Sequence, residues 1–267
     1  MDQHNNIVDS KGNIIASYPP CAYEPIRVGP FNPSAGGPSP TLQGWVEWAF
    51  QSSGSNQFNA LQNYYHVPSA PSNYGGQTDF FFPGFVPVDN SVIIQTVLQY
   101  GPSKAGGGNY WGLAAWWVAN NGNQYYSPLY TGVSSGDLIF NKIYIQSQTC
   151  NYSGCYDLWN IYGEDENTQY AFGANLWQDT EDPMNQAFGA VMEDYNVTSC
   201  NQLPAQGNID FYDMALFEPG SCGVTCYNQV TYNSSSNFGQ NNPSCGYSML
   251  NGSGGSILYW SPLRIWS

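Results

Sequence analysis

The stretch from residue 85 to 101, FVPVDNSVIIQTVLQYG, most constrains how this chain can fold. Val and Ile dominate it, turn formers stand at Pro87 and Asn90, and it closes on Gly101. Such a run predicts a buried strand, a tight turn and a second strand. Side chains alternate along a strand. Ile93, Gln95, Val97 and Gln99 therefore share one face, and Ile94, Thr96, Leu98 and Tyr100 the other. A buried amide needs hydrogen-bond partners. The face with two glutamines is either half-solvated or a concave surface that holds a polar ligand.

Short apolar runs of this kind recur along the chain. GWVEWAF (44–50), FNALQNYYHV (58–67), FFFPGFVPV (80–88) and YWGLAAWWVA (110–119) are each bounded by turn residues. Asn121-Gly122 predicts a hairpin turn into QYYSPLY (124–130). YDLWNIY (156–162) pairs across a polar turn with YAFGANLW (170–177). No convincing helical period occurs. The pattern predicts an all-β protein, an antiparallel two-sheet β-sandwich of the concanavalin or lectin-like kind. Residues 1–40 read as an irregular N-terminal extension packed on the core, with a small hairpin near Lys11-Gly12. Residues 41–215 read as the sandwich, and 216–267, rich in Cys, Asn and Ser, as an irregular C-terminal extension of the same domain.

Charge narrows the partners. Five Lys and Arg stand against 19 Asp and Glu, a formal charge of −14. This excludes nucleic acid and anionic membranes as partners held by charge. In acid most carboxylates approach their pKa and the net charge falls, which suits an acid-adapted extracellular protein. The seven cysteines (21, 150, 155, 200, 222, 226 and 245) read as disulfide cysteines of an oxidising compartment, with one left over. Cys150 and Cys155 are spaced to close a hairpin loop. With only His4 and His66 and no paired CxxC, neither a metal nor a cofactor is expected. Asn151, Asn196, Asn233 and Asn251 are sequons. No apolar run is long enough to span a membrane, and MDQHNNIV is no signal peptide, so secretion requires a leader absent from this chain. A monomer is expected.

The site candidates are few. A serine triad needs a better-placed histidine, and no P-loop, dinucleotide fingerprint or HExxH motif is present. The acids at 164–166 and 179–182 sit in polar turns. Glu47 with Glu193 could be proposed as a glycosidase pair, but nothing local supports it. Glu193 stands out because it interrupts an apolar strand, AVMEDY. Alternation puts Val191, Glu193 and Tyr195 on one face and Met192 and Asp194 on the other. A carboxylate there is either exposed at a strand end or held by hydrogen bonds with a raised pKa.

Together these segments resemble the acid glutamic peptidase family, the eqolisins. That family has an aromatic-Val-Gly-Ile-Asp segment, then hydrophobic-Leu-Gln-Thr-Gly, then a hydrophobic pair before Glu-Asp-aromatic. Here these are Phe85-Val86-Pro87-Val88-Asp89, Val97-Leu98-Gln99-Tyr100-Gly101 and Val191-Met192-Glu193-Asp194-Tyr195. Weaker matches fill the intervals in order over residues 42–214. The resemblance implies a sandwich with a concave substrate face, no cofactor, polypeptide substrates and a catalytic Gln99–Glu193 dyad. Gln95 competes for the amide role, and Phe85, Asp89, Gln95 and Trp116 are expected to line or support the cleft. Phe85 stands where the family has Trp, Pro87 where it has Gly, and Val118 where it has a further site Glu. The competing reading is a carbohydrate-binding sandwich in which Trp111, Trp116, Tyr125 and Tyr126 stack on sugars.

Overall fold

A computed structural model describes residues 37–41, 44–54, 56–152, 154–180, 183–239 and 243–262, and the backbone of two short strands, β1 (Asn6–Val8) and β2 (Ile14–Ser17). These two pair antiparallel, on either side of Lys11-Gly12. The remaining strands are β3 (Trp45–Ser52), β4 (Ala60–His66), β5 (Thr78–Val86), β6 (Val92–Ser103), β7 (Gly106–Ala119), β8 (Gln124–Tyr126), β9 (Leu138–Asn151), β10 (Gly154–Asp165), β11 (Tyr170–Asp179), β12 (Gln186–Tyr195), β13 (Asn208–Gly220), β14 (Gly223–Val230), β15 (Ser235–Phe238), β16 (Ser248–Gly252) and β17 (Gly255–Tyr259).

They form two antiparallel sheets, the predicted sandwich. One runs β15-β3-β12-β5-β6-β7-β8. The other runs β11-β10-β9-β4-β13-β17-β16, with β14 also on β13. Residues 216–262, read from sequence as an irregular extension, thus supply strands to both sheets. Their side chains are mostly half-exposed at the edges, so the apolar alternation that announces a strand is weak there.

The core between the sheets is built from alternate residues, as the period of two requires. Ile94, Leu98 and Tyr100 of β6 meet Phe58, Leu61, Ile143, Trp159 and Ile161 from the facing sheet. The opposite face of β5, β6, β7 and β12 carries a second apolar cluster that includes Phe80, Phe82, Ile93, Val97, Trp116 and Val191. The first sheet is thus apolar on both faces, and its outer face needs a cover.

One buried polar tie links the sheets. Asn141 Nδ2 donates to Asn63 Oδ1 (3.0 Å), and Asn63 Nδ2 donates across the core to the Gly189 carbonyl (3.0 Å). Gly189 lies where β12 slips register against both neighbours. Its missing side chain leaves room for Tyr232 and Met214. The bulge sets the phase of the residues that follow, Glu193 among them. Disulfides join Cys150 to Cys155 at the β9–β10 turn, Cys200 to Cys245, and Cys222 to Cys226. Cys21 lies outside the described residues.

Candidate active site

The outer face of the first sheet carries one continuous cross-strand row. Trp45 pairs with Glu193, Glu193 with Phe80, Phe80 with Gln99 and Gln99 with Gly112. Directly opposed residues point to the same side of a sheet. Glu193 and Gln99 therefore stand on one face, two strands or about 10 Å apart at their Cα atoms, with the Phe80 ring between them. A second row holds Phe188, Gly84, Gln95, Trp116 and Tyr126. Gly84 leaves space beside Gln95, whose Cβ lies 3.3 Å from where a side chain would begin.

The two amides are held differently. Gln99 Nε2 donates to the carbonyls of Gly101 and Gly106 (both 3.0 Å), and its Oε1 accepts from Ser103 Oγ (2.8 Å). The turn that follows β6 thus engages the whole Gln99 amide. Gln95 Nε2 donates to the Pro40 carbonyl (2.8 Å), and its Oε1 is buried without a donor among the described residues.

Pro40 belongs to a segment, residues 37–41, that crosses this face. The Pro38 carbonyl accepts from the Lys104 N–H (3.1 Å). Ser39 Oγ donates to Gln124 Oε1. The Thr41 N–H donates to Glu193 Oε1 (2.9 Å), and Tyr195 O–H donates to the same oxygen (2.5 Å). The Pro40–Thr41 peptide unit therefore lies between a carboxyl and an amide, its N–H on Glu193 and its carbonyl on Gln95. Beneath this cover Glu193 and Gln95 are fully buried and Gln99 nearly so.

Burial pushes the Glu193 carboxyl well above the usual range, against the pull of Tyr195 and the backbone of Thr41 and Gly44 and with the help of Asp194. Removing the Tyr195 hydroxyl takes away the first of those opposing bonds. Tyr195→Phe is therefore expected to raise the Glu193 pKa further. If activity requires the ionised carboxylate, the acid limb of a kcat/KM profile moves to higher pH; an unmoved limb would exclude this contact as a determinant of Glu193.

The remaining expected residues separate. Trp116 shares the outer face with Gln95 and packs on Tyr126, ring centroids 4.6 Å apart. Asp89 caps the β5–β6 turn by accepting from the Ser91 N–H (2.9 Å), and lines a cavity of about 510 Å³ with Thr41, Ile93, Lys104 and Val118. Phe85, expected to wall the cleft, points the other way. It stacks on Phe58 and packs against Trp159 in the core between the sheets. Of the aromatic residues expected to stack on sugars, Trp111 and Trp116 are buried, while Tyr125 is exposed. Glu47 also faces the inter-sheet core, opposite Met192, and cannot pair with Glu193.

A group that the sequence reading did not assemble lies on that inner side. Asp79 and Asp194 are opposed across β5 and β12 with their carboxyl oxygens buried, and burial, with the neighbouring carboxyl adding to it at Asp79, holds both well above the usual carboxylate range. Glu47 is buried nearby, and neither of its carboxyl oxygens finds a donor among the described residues. The available signal was an acid set within each of three apolar strands, one in TDFFF, one in WVEWA and two in VMEDY.

The two-sheet fold is one shared with solved glutamic peptidases. Two solved structures of that class superpose on most of the chain. One is scytalidoglutamic peptidase with a peptide-based transition-state analogue, at 16% identity over 80% of this chain and 98% of that one, with a TM-score of 0.54. The other is SCP-B, a member of the eqolisin family of peptidases, in complex with the tripeptide Ala-Ile-His, at 15% identity over 80% and 98%, with a TM-score of 0.52. At these identities the likeness is one of fold. No protein-family model and no curated protein matches the chain.

Proposed function

We propose that the protein is a secreted endopeptidase of the glutamic type, active in acid. The observation that carries this reading is the row Glu193–Phe80–Gln99 on the outer face of one sheet, in a fold shared with peptidases. With the cover of residues 37–41 displaced and water admitted, the burial that holds the Glu193 pKa up is relieved; the ionised carboxylate then takes a proton from water as the water attacks the scissile carbonyl, and delivers it to the leaving amine. Gln99, released from its turn, orients the water through Oε1 and stabilises the oxyanion through Nε2. An amide does not titrate, so it keeps this role in acid. Gln95 grips a substrate carbonyl, as it grips that of Pro40. Three disulfides fit an oxidising compartment, and no helix among the described residues is long and apolar enough to cross a membrane. Residues 41–215 and the extension that follows are read as one domain, to which β13–β17 add strands in both sheets.

Digestion of an unfolded protein between about pH 2 and 7, with products read by mass spectrometry, tests the activity. Cleavage that resists serine, cysteine, metal and pepsin-type inhibitors is expected; its absence at every pH would reject the reading. The two glutamines are distinguished by kinetics. Gln99→Leu is expected to lower kcat by about 10²- to 10³-fold, and Gln95→Leu to act chiefly on KM. The reverse pattern would move the oxyanion role to Gln95.

A carbohydrate-binding role is favoured by one observation on the other sheet. There Phe140, Tyr144, Tyr162 and Tyr170 with Asn160 and Asn175 line an open cavity of about 520 Å³. Hits on a glycan array from a protein without peptidase activity would favour it.

A further inference from the structure

We propose that residues 37–41 lie along the path a peptide substrate takes, so that the full chain holds itself latent. The inference rests on the peptidase reading of the site.

The principal contacts that seat the segment are made to groups every peptide carries. Lys104 N–H and Gln95 Nε2 donate to the carbonyls of Pro38 and Pro40, and Glu193 accepts the N–H of Thr41. An extended substrate offers the same carbonyls and N–H groups to the same partners. The two prolines have no N–H of their own, so this short run presents few donors that the apolar floor would leave unmatched.

Occupation blocks the chemistry directly. Glu193 Oε1 already accepts from both Thr41 and Tyr195. The carboxyl is sealed from solvent, and its other oxygen finds no donor among the described residues. A second peptide cannot reach Glu193 or Gln95 while the strap is seated. At the other end Gly37 sits flush on the turn after β6. A Cβ there would come within 2.7 Å of Ser103 Cα and 2.8 Å of the Pro102 carbonyl. Any side chain at position 37 must lift the strap.

These contacts define the test in the full chain. Gly37→Val forces the strap from Ser103, and Thr41→Pro removes the N–H that Glu193 accepts. Both positions lie outside the catalytic row, and each substitution is made alone and together, so that a folding failure in one leaves the other. Two quantities are measured for wild type and variants: kcat and KM on an unfolded protein in acid, and binding of a synthetic peptide of residues 36–43 by calorimetry. The variants are expected to gain about tenfold or more in kcat/KM through a lower apparent KM. They should also bind the peptide, which competes with substrate, whereas wild type does not bind it. Equal cleavage by all forms, with no peptide binding, overturns the strap and leaves the peptidase reading standing. Peptide binding confined to the variants, with no cleavage by any form, supports the strap and overturns the peptidase reading.

Discussion

Glu193→Gln is expected to lower kcat by about 10³-fold or more while the protein stays folded. The substitution keeps the shape of the side chain and one carbonyl oxygen. That oxygen can still accept from Thr41 N–H and Tyr195 O–H, the two bonds that position residue 193. It removes the only group on the outer row that can take and return a proton. The new NH₂ would occupy the place of Oε2, which has no partner among the described residues, and leaving it unpaired costs about 1–3 kcal/mol. Far-UV circular dichroism and the thermal midpoint check the fold; product release from an unfolded protein checks turnover. Full activity in a folded Glu193→Gln protein would sink the proposed mechanism.

The second large effect concerns stability against alkali. Glu47 and Asp79 are buried between the sheets and the Asp194 carboxyl oxygens are buried beside them, and burial is the first cause of each raised pKa. Glu47 is pushed up to about 9 and Asp194 to about 8, and Asp79 rises with its partner. Asp194 raises Glu47, and the buried carboxyls in turn raise Tyr247, while Asp79 raises Tyr100. In the unfolded chain each carboxyl titrates near pH 4. Between about pH 5 and 8 the folded state therefore holds protons that the unfolded state has lost. The sign follows: stability is full in acid and falls as pH rises.

Each proton so held adds about 1.4 kcal/mol per pH unit, and Glu193, raised by the same kind of burial, adds to the count, so that two or more set a slope of about 3 kcal/mol per pH unit or steeper. A loss on that scale over two or three units rivals the whole stability of an ordinary domain. Chemical denaturation across this range is expected to show the midpoint collapsing towards neutrality. Glu47→Gln should remove about one proton from the slope. A midpoint independent of pH in the wild type would show that the three carboxyls do not titrate with folding.

How far the sequence led depends on which physical signal each feature leaves. Strand alternation put Gln95 and Gln99 on one face of β6, and Glu193 with Val191 on one face of β12, because each strand has one face whose composition differs from the other. In β5 that signal is missing. All of Thr78–Val86 is buried, so TDFFFPGFV carries no contrast from which to read direction, and Phe85, expected at the cleft from the resemblance alone, faces the core between the sheets. The meeting of Asp79 with Asp194 depends on the register of β5 against β12, which are far apart in sequence, and no local pattern encodes it. The seating of residues 37–41 was hidden for a similar reason. A run rich in Pro and Gly has no periodicity, and its partners come from β6, the β6–β7 turn, β8 and β12.

The strap engages its floor chiefly through main-chain atoms. Its wording is therefore nearly free, whereas its spelling at one letter is fixed. A library randomised at Ser39 and Thr41 should retain the closed form in most members that keep an N–H at position 41, while almost any replacement of Gly37 should release it. The cleft would then respond to the outline of a chain and little to its side chains, and what guards it could drift widely in composition without losing its grip.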